Sequence, residues 1–308
     1  MKVFHTVEEV IQWRQNGIGD RGSISVGFIP TMGCLHEGHA SLIQASKREN
    51  NYTVVSIFVN PSQFAPTEDL DQYPRTFLED SKLLESFDVD VLFAPAPSVI
   101  YPQGIPLVVS EQRGPFVSVL GVSEVLEGST RPTFFRGVAT VVTKLLNIIM
   151  PDFAYFGQKD IQQFTVLSVM VDELFINTKL RMMPIIRSST GLALSSRNKY
   201  LCPESLGLAA TLYKGLKSAE ENIKSLKDGE TLTRTQIVDQ IKNIWESYIR
   251  SNDFKSDYVS VAQWGTLKEV DRVQKISNSP AYIISCAVYV TDRGENKNVV
   301  RLIDNIIL

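Results

Sequence analysis

The first half of this chain alternates short apolar runs with stretches of helical spacing, and that rhythm limits its fold more than any other feature. Residues 53–60 (TVVSIFVN) form the plainest run. Such a run, bounded by polar turns, makes a strand buried on both faces. Residues 25–30 also read as a buried strand, and residues 89–93, 153–156 and 179–186 as further strands. Helical patterns occupy residues 38–49, 76–87, 137–150 and 161–174, the third stopped by Pro151. Residues 1–10, acidic at Glu8 and Glu9, read as a first structural helix. This order predicts an α/β fold, a mainly parallel sheet with helices on both faces.

After about residue 190 the pattern changes. Residues 205–226 and 231–250 read as amphipathic helices, and residues 258–262, 281–291 and 299–303 as strands. Residues 292–298 form a polar turn joining the last two strands, read as a surface insertion. The expected organisation is a first domain over residues 1–188 and a smaller C-terminal α+β domain over residues 189–308, closing over the site.

Bulk properties remove several classes of function. The net charge is −3 over 308 residues, and no stretch is strongly basic, so nucleic acid is not an expected partner. No apolar run reaches membrane-spanning length. The three cysteines, Cys34, Cys202 and Cys286, lie far apart, which argues against a disulfide framework or a cysteine zinc site. The expectation is a cytoplasmic protein that does not engage membranes.

In a parallel sheet, ligands sit beyond the carboxyl ends of the strands, and polar segments containing Gly or Pro fall at those ends here. Residues 30–39 (PTMGCLHEGH) hold His36 and His39, two of only three histidines. Their i, i+3 spacing puts both on one face if a helix starts there. Gly33 and Gly38 allow close backbone approach, and a helix N-terminus attracts phosphate. A metal pair or a plain helix start are the competing readings; the metal pair lacks further His or Cys ligands. Asn60 and Gln63 follow the second strand. They could read a hydroxyl or carboxylate of a small substrate, or simply form an Asn-Pro turn. Residues 157–163 (GQKDIQQ) offer Lys159 to phosphate and Asp160 as a helix cap, or a solvated turn. Residues 194–198 (LSSRN) offer two hydroxyls and a guanidinium as an anion grip, or a polar linker. Glu79 and Asp80 could hold a magnesium ion through water, although two acids on a helix are usually only solvated.

Six segments in order resemble one family, the pantothenate synthetases or pantoate–β-alanine ligases. They are PTMGCLHEGHASLI (30–43), SIFVNPSQF (56–64), YPRTFLED (73–80), RGVATVVTKLLNIIMPDFAYFGQKDIQQ (136–163), GLALSSRNKYL (191–201) and RLIDNI (301–306). The first also resembles the HxGH signature of the wider nucleotidylyltransferase and class I aminoacyl-tRNA synthetase superfamily. The Ser-Ser-Arg segment stands where that superfamily has its second phosphate-binding signature.

The resemblance implies a Rossmann-like domain with a small C-terminal domain, usually as a homodimer. It implies adenylation of pantoate by ATP with Mg2+, then displacement of AMP by β-alanine. Carried over by motif position, the ATP site is Met32, Gly33, Cys34, Leu35, His36, Glu37, Gly38, His39, Gly157, Gln158, Lys159, Asp160, Ile186, Leu194, Ser195, Ser196 and Arg197. His39, His36 and Lys159 are the implied catalytic residues, with His39 as proton donor. Gln63 and Gln163 would contact pantoate. From the residues themselves, Asn60 is a further candidate substrate contact and Asp80 a candidate magnesium ligand. Bacterial members usually read FGEKDYQQ and RPGHFDG, whereas this chain has Gln158, Ile161 and Arg136 at departing positions, a variant similar to fungal members. The alternative is a nucleotidylyltransferase of the same superfamily that adenylylates a phosphate-bearing substrate. An aminoacyl-tRNA synthetase relative would need a tRNA-binding surface, which the acidic pI of about 5.8 disfavours.

Overall fold

The computed structural model describes residues 1–16, 23–66, 70–275, 281–295 and 297–308. The chain folds as two compact units, Met1–Gln158 with Gln162–Pro184, and Lys159–Ile161 with Ile185–Leu308. The change of unit thus falls at residues 184 and 185, beside the expected boundary after residue 188, and Lys159–Ile161 go with the second unit.

The first unit is built on six strands: β1 (Lys2–Phe4), β2 (Val26–Thr31), β3 (Tyr52–Ile57), β4 (Val91–Phe93), β5 (Phe153–Gly157) and β6 (Lys179–Met183). They pair in parallel in the order β1-β4-β3-β2-β5-β6. Helices α1 (Val7–Asn16), α2 (Glu37–Glu49), α3 (Phe77–Ser86), α6 (Phe134–Ile149) and α7 (Ile161–Glu173) connect them, with single-turn helices α4 (Pro97–Ile100) and α5 (Glu127–Thr130) between. The N-terminus departs from the sequence reading: strand β1 precedes the first helix and pairs with β4. A three-residue strand has too few positions to show alternation, so its pairing is set by tertiary contact.

Successive strand residues point to opposite faces. Phe28 and Ile29 are adjacent on β2 and both are fully buried, so helices must cover both faces. On one, Ile29, Val55, Leu92 and Tyr155 pack with Ile43 of α2 and Leu84 of α3. Each fully buried Leu or Ile contributes about 1.5–3 kcal/mol. Helix α6 ends at Met150, whose left-handed φ of 48° and N–H bond to the Leu146 carbonyl close the last turn before Pro151. Strand order runs outward from β2 through β3 to β4, and in the other direction from β5 to β6. The neighbouring carboxyl ends of β2 and β5 therefore form the topological switch point where such sheets bind ligands.

The second unit carries an antiparallel sheet ordered β11-β10-β8. Its elements are α8 (Pro203–Ala209), α9 (Thr211–Lys224), β7 (Thr231–Thr233), α10 (Arg234–Arg250), β8 (Phe254–Gln263), β9 (Arg272–Gln274), β10 (Tyr282–Thr291) and β11 (Val299–Ile307). The single helix expected at 205–226 is divided at Ala210, and the short pair β7–β9 was not legible. Trp245 is fully buried and its indole N–H donates to the Thr211 carbonyl at 3.0 Å. Gly215 makes room for it, since a Cβ there would lie 2.7 Å from the indole nitrogen. Asn296 of the expected polar insertion lies outside the described residues. The rest of that turn is anchored: Arg293 pairs with Glu204 and Asp253, and Asp292 accepts the Cys202 N–H.

Candidate active site

The turn leaving β2 contains two residues with positive φ, Gly33 at 82° and Cys34 at 55°. It delivers His36 as the N-cap of α2. His36 Nδ1 accepts the Gly38 N–H at 3.1 Å, and His39 Nδ1 accepts the His36 N–H at 3.3 Å, a histidine version of the capping box. The ring centroids lie 4.2 Å apart. Because both Nδ1 atoms accept, a neutral ring at either position carries its proton on Nε2. Two Nε2–H donors thus sit on the positive end of a 13-residue helix. Gly38 is needed for this, since a Cβ would come within 2.9 Å of the His36 ring nitrogen.

Asp80, the expected magnesium ligand, holds the turn in place. It is 3% exposed on α3. Oδ2 accepts the Cys34 N–H at 2.8 Å and the Thr76 hydroxyl at 3.1 Å, and Oδ1 accepts the Leu35 N–H at 2.8 Å. A magnesium ion wants several oxygen ligands in octahedral array. Among the described residues no group of three or more His, Cys, Asp or Glu is placed to hold a metal. The residues around Asp80 therefore form a clamp on the turn. The Cys34 and Leu35 N–H groups are already committed to it, so neither offers an N–H to phosphate. Beside the turn opens a pocket of about 530 Å3, lined by Met32, Gly33, Pro61, Arg75, Thr76 and Asp80 among others.

Asn60 also turns inward. It caps the 3-10 turn Pro61–Gln63. Its Oδ1 accepts the Ser62 and Tyr101 hydroxyls at 2.9 and 2.8 Å, and its Nδ2 donates to Gln63 Oε1 at 2.8 Å and to the Gly137 carbonyl at 3.2 Å. Both ends of the amide serve the protein, so the expected substrate contact at Asn60 gives way to the turn reading. The bond to Gln63 fixes that amide with its oxygen toward Asn60. Burial raises the Tyr101 phenol above its ordinary pKa, with the Ser62 and Asn60 contacts opposing. Gly137 lets α6 approach: a Cβ there would stand 2.2 Å from the Ser62 carbonyl oxygen. Arg131 donates to the Gln63 carbonyl at 3.1 Å.

At the end of β5, Gly157 and Gln158 belong to the first unit, as does half-buried Gln163. Its neighbour Gln162 is fixed, accepting the Glu127 N–H and donating to the Val122 and Val125 carbonyls. In the second unit, the Lys159 ammonium stands 3.5 Å from Asp160 Oδ1. Ile186 accepts the Leu194 N–H at 2.9 Å, closing a hairpin. Ser195 Oγ accepts the Arg197 N–H at 3.2 Å and caps the 3-10 turn Ser196–Tyr200, and Arg197 itself is exposed. Sequence reasoning missed Arg187, Asp304 and Asn305. Adjacent Asp and Asn in an otherwise apolar terminal strand were the available signal.

Residues 2–307 match the family model described as pantoate-beta-alanine ligase. The chain belongs to the pantoate–β-alanine ligase family. The pantoate–beta-alanine ligase of Saccharomyces cerevisiae is 65% identical over 309 residues, covering 100% of each chain. A pantothenate synthetase crystal structure from Thermus thermophilus superposes with a TM-score of 0.83 at 34% identity, covering 99% of each chain. The pantoate-beta-alanine ligase of Francisella tularensis, complexed with beta-gamma ATP and beta-alanine, gives a TM-score of 0.72 at 33% identity, covering 100% of this chain and 97% of that one. In this member of the ligase family, Arg136 donates to Gln112 Oε1 at 2.6 Å and lies 3.7 Å over the Phe116 ring. Ile161 is buried at the start of α7.

Proposed function

We propose that this chain condenses (R)-pantoate with β-alanine through a pantoyl adenylate. In the first step a pantoate carboxylate oxygen attacks the α-phosphorus of ATP, and the bond to the β-phosphate breaks, releasing pyrophosphate. In the second the β-alanine nitrogen attacks the acyl carbon, the acyl–oxygen bond breaks, AMP leaves and one proton goes to solvent. The carboxylate is ionised at pH 7 and needs no base. The remaining task is to hold two anions together and stabilise the charge that grows on phosphate. The observation that carries this reading is the His36–His39 capping box, which sets two Nε2 donors at a helix N-terminus. By motif position, Lys159, Ser195, Ser196 and Arg197 act on the triphosphate, and Gln63 and Gln163 hold pantoate. His39 stabilises charge in the first step, and its Nε2–H is the group able to donate a proton. Magnesium, on this reading, comes with the nucleotide, held by its phosphates. The homodimer and cytoplasmic location implied by the resemblance belong to the same reading.

The test is AMP release from ATP, pantoate and β-alanine, with each substrate omitted in turn. AMP should form only when all three are present, and pyrophosphate should form with ATP and pantoate alone. AMP release that ignores pantoate would defeat the assignment, and pyrophosphate release that ignores pantoate would point instead to adenylyl transfer to another acceptor.

A further inference from the structure

The segment RLIDNI enters the family resemblance with no role attached to it. In the structure it is the core of β11. Asp304 and Asn305 are 3% and 1% exposed, deep in an otherwise apolar strand. A buried carboxylate persists only where its charge and lone pairs are met. Asp304 meets Arg187 in a bidentate pair, Nη1 to Oδ2 at 2.7 Å and Nη2 to Oδ1 at 2.8 Å. Asn305 Nδ2 donates to the Lys159 carbonyl at 3.0 Å. Its own N–H donates to Asp304 Oδ1 at 2.8 Å, which joins the two contacts.

Arg187 carries the support onward. Its Nη1 donates to the Gly191 carbonyl at 3.1 Å, and its guanidinium lies 3.6 Å over the Tyr213 ring. Gly191 sits at a φ of 95°, and a Cβ there would lie 3.0 Å from Tyr213. Arg187 also bridges Ala193 in antiparallel register, next to the Leu194 N–H bond to Ile186. Two neighbouring residues of the last strand thus fix two segments distant in sequence, the turn at Lys159 and the hairpin running into Leu194 and Ser195.

We propose that Asp304 and Asn305 are the positioning residues of the nucleotide-binding segments of the second unit, with Asn305 setting Lys159 and Asp304 setting the hairpin through Arg187. The proposal rests on the reading above that Lys159 and residues 194–197 act on ATP. A bidentate arginine–carboxylate pair is a rigid, directional connector. A displacement of about 1 Å in a catalytic group costs about 100-fold.

The experiment measures pantoate-dependent pyrophosphate release with Asn305→Ala, Lys159→Ala and the double variant. Asn305→Ala should lower kcat/KM for ATP about 10- to 100-fold, with the KM for β-alanine unchanged. In the Lys159→Ala background the same change should cost less than about threefold, because the group it positions is gone. Equal losses in both backgrounds, or a KM for β-alanine that moves with that for ATP, would overturn the proposal and leave Asn305 a purely structural residue. Lys159→Ala with undiminished release would overturn the reading of the site, and the proposal with it. Where Asn305→Ala does not fold, Asn305→Leu replaces it, filling the space while still removing the donor, and it is read by the same two comparisons.

Discussion

Replacing Asp80 with Asn alters one oxygen in the support of the turn that carries His36. In the native protein both carboxylate oxygens accept backbone N–H groups at 2.8 Å, from Cys34 and Leu35, at a site 3% exposed. An amide can accept only one of these, and its NH2 faces the other donor. The unpaired buried N–H costs about 1–3 kcal/mol, and the surviving bond falls from charge-assisted to neutral strength, about 1 kcal/mol more. The neutral side chain recovers part of the carboxylate's desolvation. The expected loss is therefore about 2–3 kcal/mol, or about 4–12 °C in Tm for a chain of this class. Thermal unfolding without nucleotide or magnesium should show that fall, because the clamp is made entirely of protein atoms. Pyrophosphate release should fall too, while the magnesium concentration for half-maximal activity stays the same. A magnesium ligand would behave in the opposite way. An unchanged Tm in metal-free buffer together with a raised magnesium requirement would refute the clamp.

Gly137→Ala should destabilise by about 1–3 kcal/mol and raise the KM for pantoate, because the new Cβ would stand 2.2 Å from the Ser62 carbonyl beside Gln63; unfolding curves and substrate titrations check both effects. At the anchored turn of the second unit, hydrogen bonds from Arg293 hold the Asp253 carboxyl below the usual carboxylate range. A depressed folded pKa stabilises above the unfolded value near 3.9 and is lost as pH falls through the folded value. The Tm gap between the native chain and Arg293→Ala should accordingly be full at pH 6–7 and shrink below about pH 4, as a series of melts across that range would show.

The fold was legible where it is local. Short apolar runs set β2, β3 and β5, and the polar turns at their carboxyl ends were visible before any pairing was known. The three-residue strands β1, β7 and β9 were not legible, since they exist through their partners β4, β9 and β7 rather than through their own pattern. The division of residues 205–226 at Ala210 was equally silent. At the site, residue type carried the reading. Two histidines beside a helix start, a lysine in a strand-to-helix turn and paired serines before an arginine name the chemistry of phosphate. They do not name what holds them. The support that Asp80 gives is silent in the sequence, because an acid on an amphipathic helix reveals nothing of a backbone 45 residues earlier. Asn60 was read toward substrate because its four partners come from three segments of the chain.

The two units solve the same physical problem in the same way, and this explains why the supports were hidden. A loop meant to meet a polyanion must keep its donors in place before the ligand arrives, since donors that rearrange during reaction lose most of their effect. Nearby cations would not hold such a loop, because they repel its own N–H and guanidinium groups. A buried carboxylate does hold it, provided two donors meet the charge. In the first unit Asp80 takes two N–H groups of the turn before His36, and in the second Asp304 takes both nitrogens of Arg187 beside the hairpin that leads to Ser195. Each acid lies on a different element from the loop it steadies, α3 in one case and β11 in the other. Motif reading finds the loops because their residues are contiguous. The carboxylates emerge only when the chain is folded, so, on the proposed function, a substitution at Asp80 or Asp304 should mimic damage to the residues proposed to meet the triphosphate while leaving every one of them intact.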